Sequence, residues 1–199
     1  MSLKPWPEVD PRKVQWSVIG TVAILGLVGL IITWLTAPLE RLLGESAYAV
    51  EAALHGVLAG VLMVAVTIGL FQAVRLLAGQ ALFLPELQIG STVTAMLTLL
   101  TIIAGNRIYI PYRAAGGPRT YFLEQAPEVH KIFFEFKEFM ALFALPLAVC
   151  AAYLFWRYGE QLIQRRPLRT TAAALLLHLF FYFMVAFGLG AAITKLKPV

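Results

Sequence analysis

Apolar and polar positions along this chain are segregated on the scale of membrane spans, not of strands or turns. Five long apolar runs stand out: Trp16 to Leu35, Ala52 to Val74 within a segment opening at Glu45 or Ser46, Gly90 to Ile108, Phe139 to Trp156, and Thr171 to Ile193. A hydrocarbon slab of about 30 Å needs roughly 20 such residues as an α-helix, and a lipid-exposed backbone must satisfy its own hydrogen bonds. The pattern predicts an all-α integral membrane protein, a bundle of about five transmembrane helices. It also predicts an extended arm over 1–15, a single membrane domain over 16–194 and a short tail over 195–199.

The runs differ in texture. Trp16 and Trp34 bracket the first as interfacial aromatics, and Gly20, Gly26 and Gly29 thin one of its flanks. In the second, Ala52, Gly56 and Gly60 recur every four residues, a stripe of small side chains that predicts close approach of another helix. The third is rich in threonine. Between them, Gly79–Ile89 with its internal Pro85, Pro111–Ala126 and the basic stretch Arg157–Arg169 are predicted as connections.

The fourth run is the tail of something longer. Pro127 and Glu128 suit a first helical turn, where proline forfeits only an N–H that would be unpaired anyway and glutamate faces the helix dipole. One helix from Pro127 to Tyr158 would measure about 48 Å, roughly 18 Å more than the slab, so its first half is predicted to protrude. There Val129, Ile132, Phe133, Phe136 and Met140 fall on one side as an apolar face, with Lys131, Glu135 and Glu138 on the other. Pro146 should bend the membrane half.

Composition agrees with that pattern. Sixty per cent of the 199 residues are hydrophobic, fourteen per cent are charged and the mean hydropathy is +0.78, which excludes an ordinary soluble domain. The single cysteine, Cys150, lies in an apolar run, so a disulfide framework and a cysteine-ligated metal are both excluded. Sixteen basic against eleven acidic residues suit membrane lipids with anionic headgroups. No basic stripe is interleaved with aromatics, so nucleic acid is not an expected partner. The mixed-charge start does not read as a cleaved leader. Basic residues divide evenly between the two sides of a five-span chain; the first helix usually sets topology and the shortest basic loop lies on the amino-terminal side, which favours an amino terminus inside, in a bacterial cytoplasmic membrane.

Chemistry is confined to a few side chains. Glu51 and His55, four apart on one helix face beside Tyr48, could meet the level of Glu135 and Glu138, with His130 above them. Two histidines and three carboxylates, Glu51, His55, His130, Glu135 and Glu138, would suffice for a transition metal in a helical bundle. The plainer alternative is a solvated face carrying ion pairs such as Lys131–Glu135 and Glu128–Lys131. Haem b is the second expectation, since histidines on different spans are its usual axial ligands. His178 sits roughly 15 Å in depth from His55, too far for both to ligate one iron, so the pair would be His55 and His130. His178 would then be a lone ligand beside Tyr182, or a histidine bonded to that hydroxyl. Arg107, Arg113, Tyr109 and Tyr112 combine guanidinium forks with aromatic faces, suited to haem propionates, a quinone head or a lipid phosphate.

Small multi-span chains with a few intramembrane histidines resemble, as a class, b-type cytochrome anchors and accessory subunits of electron-transfer complexes. The leading expectation is therefore a membrane subunit associated with electron transfer that binds haem or quinone near one face. A non-catalytic anchor docking other protein subunits, and a metal-dependent membrane enzyme, are the alternatives.

Overall fold

A computed structural model describes residues 49–80 and 83–197. The predicted first span, the amino-terminal arm and Tyr48 lie outside the described residues. The chain divides into two units, Met1–Leu42 and Leu43–Val199, and every described residue belongs to the second.

The described residues form seven helical segments. They are α1 (Ala49–Leu77), α2 (Leu84–Arg113), α3 (Pro118–Gln125), a π-helical segment (Val129–Phe134), α4 (Glu135–Tyr158), α5 (Glu160–Gln164) and α6 (Arg166–Leu196). Among the described residues four stretches, Val50–Leu77, Leu84–Arg113, Val129–Tyr158 and Arg166–Leu196, are long and apolar enough to cross a membrane. They correspond to the second to fifth predicted spans.

Helix ends explain why the spans run longer than their apolar cores. Gly79 takes a left-handed φ of 70° and lets Ala78, Gly79 and Gln80 cap the last carbonyls of α1. Pro85, expected inside a loop, instead occupies the first turn of α2, where its missing N–H is harmless. At the far end α2 continues through Pro111 to Arg113, so Tyr112 and Arg113 stand on a helix and not on the predicted connection. A turn through Gly116 and Gly117 then leads into α3; a Cβ at Gly117 would lie 2.5 Å from the Pro111 carbonyl oxygen, which only glycine avoids. The basic connection Arg157–Arg169 likewise contains α5 and the start of α6.

Each long helix packs against two others, so α1, α2, α4 and α6 close a ring with chain neighbours antiparallel. The register shows in matched contacts: His55 with Thr101 and Glu51 with Arg107 between α1 and α2, and Gln88 with Phe155 and Tyr109 with Glu138 between α2 and α4. Three buried layers fill the bundle. One end holds Ala73, Leu76, Leu87, Ala151, Phe155, Leu162, Ala172, Ala173 and Leu176. The middle holds Ala59, Leu62, Val66, Ala144, Ala148, Leu179 and Phe183. The other end is aromatic, with Tyr112, Phe122, Phe134 and Ile193.

Polar and apolar faces are distributed as a lipid environment favours. On α2 the buried stripe is Ser91, Thr94, Thr98 and Thr101, each hydroxyl bonded to a carbonyl three or four residues back in its own helix. On α1 large apolar side chains such as Val57, Val64 and Phe71 point outward. The expected two faces of the segment from Val129 to Met140 are mixed: Val129 and Met140 pack inward, and Lys131 and Glu135 are exposed. Ile132 is 57% exposed and Phe136 49%, while His130, Phe134 and Met140 are buried and Lys137 and Glu138 half-buried. Where the surroundings are as apolar as leucine, burying a phenylalanine gains little, and polar side chains turn toward one another.

Candidate functional site

The polar chemistry gathers at the end of the bundle formed by the start of α1, the end of α2, the π-helical segment with the start of α4, and the end of α6. Between the middle and aromatic layers lies a cavity of about 590 Å³ bordered by all four. Small residues create the space, among them Ala52 and Gly56 on α1, Gly105 on α2, Ala141 on α4 and Gly190 on α6. Among the described residues nothing lies within 4 Å of where a Cβ at Gly56 would be, so in this unit Ala52 and Gly56 of the predicted small-residue stripe serve as cavity wall.

His55 projects from α1 across Gly105 of α2. Its Nδ1 lies 3.0 Å from the Thr101 carbonyl oxygen, and a Cβ at position 105 would sit 3.1 Å from its Cε1. Glycine at 105 therefore opens the way to that carbonyl. A carbonyl only accepts, so Nδ1 carries the proton and Nε2 keeps its lone pair. Among the described residues Nε2 has no hydrogen-bond partner, and His55 borders the cavity.

Opposite, Lys137 of α4 lies over Gly190 of α6, with its Cε 3.4 Å from where a Cβ would be and its Nζ 5.4 Å from the Phe134 ring centroid. It borders the same cavity and forms no ion pair among the described residues. An aromatic stack forms one end of the space. Tyr112 and Phe134 lie parallel at 4.3 Å between centroids, and Tyr109 stacks on each at 5.9 Å.

Three charged groups brace this end. Arg107 donates to Glu51 at 3.1 Å; the carboxylate is 4% exposed, and among the described residues its buried Oε2 has no partner. Arg113 donates to the Tyr109 hydroxyl while lying over its ring, and that hydroxyl donates to Glu138 at 3.4 Å. Arg119 Nε donates to His130 Nε2 at 3.2 Å, and the other nitrogen lies 2.9 Å from the Tyr112 hydroxyl. A guanidinium has no acceptor, so His130 Nε2 must supply the lone pair and Nδ1–H must donate to Tyr112. Both nitrogens of His130 are thus engaged.

The site residues expected from sequence come together only in part. His55, Tyr109, Tyr112 and Glu138 border one cavity; Arg107 and Arg113 brace it through Glu51 and Tyr109. The five expected metal ligands do not converge, and no group of three His, Cys, Asp or Glu that could hold a metal occurs among the described residues. Glu51 turns to Arg107, Glu138 to Tyr109, and Glu135 is exposed. A bis-histidyl haem on His55 and His130 meets the same obstacle, since His130 has no lone pair left for iron. His178 is exposed on α6, its Nδ1 bonded to the Ala174 carbonyl at 2.7 Å instead of to Tyr182. The expected Lys131–Glu135 and Glu128–Lys131 pairs are absent among the described residues, where all three side chains are exposed and such pairing gains little.

Sequence reasoning missed Gly105 and Gly190, the seats of His55 and Lys137. Spacing gives no signal for them, because each is defined by a side chain arriving from another helix. Compared with protein-family models, curated proteins and solved structures, the chain has no match.

Proposed function

We propose that the chain is an integral membrane subunit associated with electron transfer that binds a quinone-type ring in the cavity at the polar end of the bundle. The observation that carries this reading is the pairing of one histidine lone pair, His55 Nε2, with the Lys137 ammonium on the walls of an otherwise largely apolar space. At about 590 Å³ it falls within the 300–1,000 Å³ range of ordinary small-molecule sites. Tyr109, Tyr112 and Phe134 give the space an aromatic border against which a planar head can pack, and the glycines and alanines leave its body apolar contact. Quinone is favoured over a bis-histidyl haem because the site offers one free imidazole lone pair, not two.

The test uses the purified protein in detergent, titrated with short-chain benzoquinone and naphthoquinone analogues. Saturable binding of either, weakened at least tenfold in Lys137→Met, is the expected result. A reduced-minus-oxidised b-type band in the same preparation would replace quinone with haem. Neither signal would leave a non-catalytic anchor or scaffold subunit.

A further inference from the structure

The cavity's histidine presents an acceptor, not a donor, and that asymmetry bears on which form of the ligand is bound. The Thr101 carbonyl fixes the Nδ1–H tautomer of neutral His55, and Gly105 holds the ring in place by leaving room for it. Nε2 stands farther from the α2 wall than Nδ1, at 3.9 Å against 3.4 Å from the Cβ position of residue 105. A quinone carbonyl has only lone pairs, and brought to Nε2 it would set one acceptor against another. The hydroxyl of a quinol offers a proton there and still accepts a hydrogen bond from an ammonium such as Lys137.

Resting on the quinone-type reading of this cavity, we infer that the site is selective for the reduced ligand, a quinol whose hydroxyl donates to His55 Nε2. The selectivity follows from hydrogen-bond polarity. An acceptor left facing an acceptor in a mostly apolar pocket loses the bond and is desolvated as well, which is how buried polar sites discriminate between ligands that differ by one hydrogen.

Three probes on the unaltered protein decide the matter: a decyl-substituted p-hydroquinone kept reduced under argon, its quinone, and its dimethyl ether. The hydroquinone is expected to bind at least tenfold more tightly than the other two, and His55→Ala, checked for retained fold by gel filtration and circular dichroism, is expected to level all three. Equal or tighter binding of the quinone or the ether to the unaltered protein overturns the selectivity while leaving the quinone-type reading intact. If none of the three binds saturably, the ligand class itself fails, and the selectivity with it. The probe comparison needs no variant, so a His55→Ala chain that does not fold leaves the result decisive.

Discussion

The two ends of the bundle use small residues in opposite ways. At the end around Phe155, alanines at 73, 151, 172 and 173 are fully covered and bring the helices together around leucines and one phenylalanine. Around His55, Ala52, Gly56, Gly105 and Gly190 leave space that basic and aromatic side chains border without filling. Without a strong hydrophobic drive between helices in lipid, close packing and polar contacts hold the structure together. One end is built on the first of these and the other on the second, so a small residue alone does not say whether it closes a seam or opens a site.

Four substitutions would break or sharpen that contrast. Phe155→Ala in the packed end should cost about 3–5 kcal/mol of folding stability, the usual range for emptying a filled core position. Thermal unfolding in detergent would show it, and a loss below about 1 kcal/mol would mean that this end is no better packed than the other. Arg107→Met should cost about 1–3 kcal/mol by leaving the buried Glu51 carboxylate without its cation. Its signature is recovery in the Arg107→Met, Glu51→Gln double variant, which a purely steric defect would not show. Gly105→Ala is expected to cost about 1 kcal/mol, because the new methyl meets the His55 ring at 3.1 Å. The same change should weaken probe binding at least tenfold, and unchanged binding would mean that the His55–Thr101 bond is dispensable. Gly56→Ala, whose new methyl would meet no described residue within 4 Å, should leave stability equal or raise it by about 0.5–1 kcal/mol through helix propensity. A clear loss of stability there would show that position 56 is a packing seam after all.

The helices were far more legible than the site. Apolar runs of span length announced α1, α2, α4 and α6, because an apolar helix of that length is a local property of composition. Their ends are less legible where a proline reads as an interruption: Pro85 begins α2 and Pro111 lies within it. Helical spacing sorts the segment from Val129 to Met140 into two sides but does not say which side packs, because an apolar side chain gains little by leaving lipid. Ile132, Phe133 and Phe136 face outward beside the exposed Lys131 and Glu135, while His130 is buried and Lys137 and Glu138 are half-buried. His55, Tyr109, Tyr112 and Glu138 could be picked out from sequence as rare polar groups in or beside apolar runs, and all four border the cavity. Their partners could not, since Glu51 meets Arg107 and His130 meets Arg119 through the packing and turns of separate helices.

Composition and the length of the apolar runs determined, without any coordinates, that these segments are helices able to cross a membrane, because a backbone surrounded by hydrocarbon has to bond within itself. Which nitrogen of each histidine keeps a lone pair was decided only in three dimensions. That property belongs to whatever group faces the other nitrogen: a carbonyl from α2 for His55, a guanidinium at the start of α3 for His130. Neither neighbour can be read from the spacing of the residues that need it.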